Sequence, residues 1–316
     1  MPWTNDPLPT KEDCMRDPQR NTLAGLEFRQ VDVFSRTPLA GNGLAVFPNA
    51  DGLDSATMLA LAQEMRQFES IFLTRPKAPD SPGAPQAFAA RMFTVEEELD
   101  FAGHPVLGAA CVLHDLHGGE RDECTWTLHL NAANVTVATW RRQGWYETEM
   151  DQGAPVFGPA LPPETVAQLL AAQGLEPNDL IPGLPVQVVS TGLPYLFIPL
   201  RTGLERARPA HPEFEALLAA VGAKFCYPLH IATHEGRSFD NHGLLEDVAT
   251  GSAAGPAGAY LVHHGLAAPD ETLVIRQGRF VQRPSEISVR IQGPSKAPTR
   301  ALVGGEAVFV ALGTFL

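Results

Sequence analysis

Apolar and polar positions alternate from Phe28 to Phe34, the pattern of a half-buried strand, and a second apolar run covers Leu44 to Phe47. The turn Pro38-Leu39-Ala40-Gly41-Asn42-Gly43 lies between them. From 54 to 66 the period becomes helical. Met58, Leu59, Leu61, Ala62 and Met65 share one face, and Asp54 or Ser55 is placed to cap it. Gln67-Phe68-Glu69-Ser70 follows and leads into the strand Ile71-Phe72-Leu73. Residues 77–86 are rich in Pro, Gly and Ala and read as a surface loop, and 88–94 as a strand. Gly103-His104-Pro105 opens a helix, 106–116, that is apolar on every side and so predicted to be buried. Strands are expected at 124–130 and 135–140. The Pro/Gly-rich stretch 151–163 reads as a link. Beyond it the pattern predicts a helix at 163–172, strands at 186–190 and 195–199, a helix at 214–221 and a strand at 229–233. Gly251-Ser252 opens a second helix of small residues, ending at His263. Strands at 272–276, 286–291 and 306–310 close the chain.

A chain of 316 residues suits two domains, since single cores rarely grow past ~250–300 residues. Its net charge of −13 argues against nucleic acid and anionic membrane as partners. An anionic substrate would then need positive potential made locally by its site. No run approaches the ~20 apolar residues of a membrane span. The first 24 residues carry no apolar signal core and read as an unstructured extension. Cys14, Cys111, Cys124 and Cys226 form no CxxC spacing, which suits reduced thiols in the cytoplasm. His263-His264 and His114/His117 lack the accompanying carboxylate pattern of a metal site, which weighs against a metal-dependent hydrolase.

The two Gly-led helix starts resemble each other. Glu98-x4-Gly103-His104 matches Glu246-x4-Gly251-Ser252 across 148 residues, nearly half the chain. Duplication is one reading of this echo, and chance is the other, because Gly/Ala-rich helix starts are common. In either case each start presents unpaired N–H groups at the positive end of a helix dipole. Two such ends facing each other would grip a carboxylate.

Val31-Asp32-Val33-Phe34, Gly41-Asn42, Phe68-Glu69-Ser70, Gly103-His104-Pro105 and Glu246-Asp247-x2-Thr250-Gly251-Ser252-Ala253 occur in an order and spacing that resemble the PhzF-like proteins of phenazine biosynthesis. Ser190-Thr191-Gly192-Leu193-Pro194 and Gln277-Gly278-Arg279-x3-Arg283-Pro284-Ser285 extend the resemblance to the C-terminus. The resemblance implies an α/β (α+β) fold of the diaminopimelate-epimerase type, with two pseudo-symmetric halves. Each half is a curled mixed sheet around a central helix. The halves would be 25–148 and 149–316, the central helices about 104–116 and 252–263, with the last strand, 305–316, free to pack on either half. It further implies a homodimer, a cleft between the halves, a small anionic carboxylic-acid substrate, and neither metal nor organic cofactor.

By the same resemblance Glu69 takes the place of the family's catalytic glutamate, which moves a proton between two positions of one substrate. Such a carboxyl works best with its pKa raised by burial. Its competing reading is a solvated residue at a helix end. His104 and Asp247 match the other catalytic positions, and Asn42, Gly103, Gly251 and Ser252 match cleft positions that bind substrate. Plain N-capping competes for His104 and Ser252, loop orientation for Asp247, and turn stabilisation for Asn42. The two thiols of the epimerase relatives are replaced by the Gly103/His104 and Gly251/Ser252 turns. That predicts a single-base hydrogen shift in place of racemisation. Pro105-Val106, Val95 and Gly43 depart from the common family pattern and weaken the link to the phenazine substrate. A non-catalytic metabolite-binding protein that retains the cleft is the alternative.

Overall fold

The computed structural model of the chain describes residues 23–75, 87–100 and 103–316. Residues 1–22 of the expected extension and the expected loop at 77–86 lie outside the described residues. The N-terminal elements are β1 (Glu27–Val33), β2 (Asn42–Phe47), α1 (Ser55–Met65), β3 (Glu69–Thr74), β4 (Ala87–Phe93), β5 (Glu98–Leu99), α2 (Gly103–His117), β6 (Glu123–His129), β7 (Asn134–Arg141) and β8 (Tyr146–Asp151). They continue into β9 (Val156–Ala160), α3 (Pro163–Ala171), β10 (Gln187–Ser190), β11 (Pro194–Leu200), α4 (Phe214–Ala220), β12 (Phe225–His230), β13 (Glu235–Gly236), β14 (Ser238–Phe239), β15 (Glu246–Asp247), α5 (Gly251–His263), β16 (Thr272–Gln277), β17 (Ser285–Gln292) and β18 (Arg300–Thr314).

One sheet runs in the order β1-β2-β3-β4-β6-β7-β8-β18-β17-β16-β13-β12-β11-β10-β9, and β18 also pairs β1. The first eight of these strands therefore close on themselves around α2. The remaining strands curl around α5 from the other side of β18. The fold is that of the diaminopimelate-epimerase type, two sheets each wrapped on a buried helix.

Strand parity explains why so many strands are buried on both faces. In β2, Leu44 and Val46 face α2, while Ala45 and Phe47 face α1. β3 repeats this, with Ile71 and Leu73 inward and Phe72 stacked on Phe47 at 4.6 Å in the outer layer. β11 does the same in the second half: Tyr195 and Phe197 face α5, and Leu196, Ile198 and Leu200 face α3 and α4. In both halves a parallel strand pair flanks an outer helix, β2 and β3 around α1, β11 and β12 around α4.

Asp54 caps α1 by accepting from the Thr57 N–H at 2.8 Å. Three parts of the sequence pattern needed correction. The strand expected at 229–233 is β12, which starts four residues earlier and ends three earlier, with Pro228 inside it. The link at 151–163 contains β9, which pairs β10. The last strand is 15 residues long and runs straight through Gly304-Gly305. Those glycines are close approaches: a methyl on Gly304 would stand 1.9 Å from the Thr148 carbonyl oxygen, and one on Gly305 would stand 2.7 Å from the Phe34 ring.

The echo between the halves extends to an anchor that the pattern alone does not show. Glu98 in β5 is held bidentately by Arg91, through Nε at 2.7 Å and Nη2 at 2.5 Å. Glu246 in β15 is held the same way by Arg237, at 2.8 and 2.6 Å. Each guanidinium also covers the Phe two residues on, Phe93 and Phe239. Each anchored strand immediately precedes a central helix in the chain.

Candidate active site

The two central helices meet end to end. A methyl on Gly103 would lie 3.4 Å from the Ser252 nitrogen, and one on Gly251 would lie 3.0 Å from the Phe34 ring and 3.8 Å from the Gly103 Cα. Glycine is what permits this approach. Phe34 itself holds φ of +67° while fully buried, a conformation costly for a non-glycine residue and typical of functional sites.

Asn42 and Glu69 occupy the first inward positions of β2 and β3, by the parity of Leu44 and Ile71. Each therefore points at the N-terminus of α2, where His104 is the second residue. Glu69 Oε2 lies 3.3 Å from His104 Nε2. The two atoms are close but not aligned for a hydrogen bond, and each is buried without a hydrogen-bond partner among the described residues.

Asn42 has two amide protons, and Asp247 Oδ1 and the Ala249 carbonyl accept them, both at 3.0 Å. The 3.4 Å approach of Asn42 Nδ2 to His104 Nδ1 therefore has no proton to share. The Gly43 backbone also bonds the ring, and Nε2 makes no hydrogen bond among the described residues. Burial pushes the imidazole pKa down to about 3, so the ring is neutral.

Burial acts the opposite way on the carboxyls. It raises Glu69 to about 8, with the charge of Asp247 adding to the rise. Asp247 is also raised by burial, but it accepts from Thr250 Oγ1 at 2.5 Å, from the Asn42 amide, and from the Ala249 N–H at 3.3 Å. Those donors favour its anion, and Glu69 has none among the described residues. In this coupled pair the proton therefore resides first on Glu69.

Ser252 is the second residue of α5. The capping position belongs to Thr250, whose side chain makes no cap and bonds Asp247 instead. The Ser252 hydroxyl lies 2.7 Å from the Tyr195 hydroxyl. Capping by Ser252 is thus replaced by a contact from helix α5 to strand β11. Tyr195 was not singled out by sequence. It holds the first inward position of β11, as Asn42 does in β2, and that parity is the signal that finds it. Gln277 was seen only as part of a motif. It is a buried hub that accepts from the Thr250 N–H and Tyr227 Oη and donates to the Asp247 carbonyl and Thr250 Oγ1.

Among the described residues no group of three or more His, Cys, Asp or Glu is arranged to hold a metal ion. Cys111, Cys124 and Cys226 are buried and unpaired, with Cys111 inside α2 and its thiol pKa pushed up by burial. Cys14 lies outside the described residues. Among the described residues no helix is long and apolar enough to cross a membrane.

The chain is similar to an uncharacterized isomerase, YddE, of Escherichia coli strain K12, at 32% identity over 89% of this chain and 95% of that one. It is 31% identical to the trans-2,3-dihydro-3-hydroxyanthranilate isomerase of Pseudomonas fluorescens, over 90% of this chain and 98% of that one. Among solved structures, a predicted epimerase from Pseudomonas aeruginosa superposes with a TM-score of 0.82 and 48% identity, covering 92% of this chain and 99% of that one. A probable proline racemase from Agrobacterium radiobacter, 13% identical with a TM-score of 0.55, shares the fold over 92% of this chain and 93% of that one. The model of the phenazine biosynthesis-like protein family, PhzC-PhzF, matches residues 31–313. The chain belongs to that family and is an isomerase acting on a small molecule.

Proposed function

We propose that the chain catalyses a cofactor-independent proton shift on a small carboxylic acid, amino- or hydroxy-bearing or a cyclic diene, with Glu69 as the general acid and base. The observation that carries this reading is the Glu69–His104 pair. A carboxyl raised to about 8 beside a neutral imidazole can hold a proton at neutral pH and also release it.

The substrate carboxylate sits where the two helix N-termini meet. Among the described residues no acceptor bonds the Gly251 or Ser252 N–H, and Gly103 abuts them. Glu69, as carboxylate, removes the proton from the carbon that its oxygen faces. The electron pair moves through the conjugated acid, and Glu69 returns the proton to a second carbon on the same face. The neutral ring of His104, 3.3 Å away, walls one side of the Glu69 carboxyl. Asp247, kept anionic by its three donors, binds an amino or hydroxyl group of the substrate. Asn42 fixes Asp247 by donating to its Oδ1.

The division into halves at 148/149, a homodimer and a cytoplasmic setting are part of the same proposal, by family likeness. The first acid to test is trans-2,3-dihydro-3-hydroxyanthranilate, named for three relatives, followed by a panel of small amino and hydroxy acids. In deuterated water the wild type should place deuterium on a substrate carbon, and Glu69→Gln should bind the acid and exchange nothing. Exchange at wild-type rate by Glu69→Gln would reject the assignment. Tight binding with no turnover by the wild type would favour a metabolite-binding protein.

A further inference from the structure

The carboxylate end of the site contains two hydroxyls in contact and only one hydrogen bond between them. Tyr195 Oη and Ser252 Oγ are 2.7 Å apart, and either could be the donor. The phenol is the more acidic group, with an ordinary pKa near ~10, and hence the stronger donor. Tyr195 therefore donates, and the Ser252 proton is left over. Ser252 stands at the second position of α5, beside its free N–H groups, so that proton is directed where an anion would sit.

The Tyr195 ring cannot easily turn away. It is buried, packed at 5.6 Å on Phe225 and edge-on at 6.5 Å to Tyr227. Burial first, and then the charges of Asp247 and Glu69, hold its pKa above the ordinary phenol value, so it stays a donor throughout the working range. The Arg283 guanidinium is committed to the β1–β2 turn: it donates to Asp32 Oδ1 at 2.7 Å and to the Gly41 carbonyl at 2.7 Å.

We propose that Tyr195 is a positioning residue for substrate selection, orienting the Ser252 hydroxyl so that a chain of two neutral hydroxyls, rather than a cationic side chain, recognises the substrate carboxylate. This rests on the carboxylate reading of the helix junction. It assigns Tyr195 no part in the proton transfer. A hydroxyl polarised by a second hydroxyl is a better donor to an anion than one alone.

The test uses anthranilate, an unreactive aromatic acid, and aniline, the same amine without the carboxylate, titrated calorimetrically. The wild type should prefer anthranilate. Tyr195→Phe keeps the ring and should weaken anthranilate about tenfold, the scale of one hydrogen bond to a charged group, while leaving aniline unchanged. A purely structural role would weaken both. Tyr195→Phe/Ser252→Ala should be no weaker than Ser252→Ala alone, because Tyr195 acts through Ser252. Glu69→Gln should leave the preference intact. If Tyr195→Phe binds anthranilate as the wild type does, or if the two substitutions add, the role of Tyr195 is overturned and the carboxylate reading stands. If the wild type binds both probes equally, the carboxylate reading falls and this inference falls with it.

Discussion

Glu69 and His104 meet at 3.3 Å, one from the start of a strand and the other from the start of a helix, with a buried carboxyl oxygen facing a buried ring nitrogen. The consequences for rate follow from the two pKa values. Glu69 is raised to about 8, and His104 is lowered to about 3. Abstraction needs the Glu69 carboxylate, so kcat/KM should rise with pH, with unit slope, and level off above about pH 8. His104 should add no limb between pH 5 and 9. A profile that levels off near pH 4.5 would place an ordinary, solvated carboxylate in the role.

The same shift sets the direction of a stability effect. Glu69 binds its proton more tightly folded than unfolded, so folding takes up a proton between about pH 4.5 and 8. Stability contributed by this group is intact below the unfolded pKa and declines as pH rises toward the folded one, by at most about 1.4 kcal/mol per pH unit. Glu69→Gln removes the decline. Urea denaturation should show the variant gaining on the wild type from pH 5 to pH 8. A constant difference across that range would show that Glu69 is not raised in the folded state.

The two Arg–Glu anchors have the same geometry and different burial, which predicts unequal costs. Arg237 and Glu246 are both more than nine-tenths buried, whereas Arg91 and Glu98 retain about a quarter of their exposure. Arg237→Ala strands a buried carboxylate and should cost roughly 3–5 kcal/mol, whereas Arg91→Ala should cost about 1 kcal/mol. Arg237→Ala should also lower kcat, since Glu246 adjoins Asp247. Equal losses in chemical denaturation would contradict the burial argument.

Much of this architecture was legible in the residues. The two helices apolar on every side could only be buried, and their glycine starts marked where they meet. What escaped was whatever the fold decides at a distance. Pro228 made β12 look too short, yet a strand can hold a proline where its N–H is not required. The last strand was expected to start at 305 or 306, but β18 runs on through Gly304 and Gly305, which leave room for Thr148 and Phe34. Tyr195 carried no motif, and only the alternation of β11 between two cores turns it toward Ser252. The Arg91–Glu98 and Arg237–Glu246 pairs lay within nine residues in sequence, but their equivalence needed both strands β5 and β15 to form.

The central claim is that one glutamate moves one proton between two carbons. It is tested most directly with a turned-over substrate carrying deuterium on the carbon that Glu69 deprotonates, in ordinary water under single-turnover conditions. The account predicts product that retains part of the deuterium at the new position, and no product from Glu69→Gln. Product formed by Glu69→Gln at the wild-type rate, with none of the label at the new position, would contradict it.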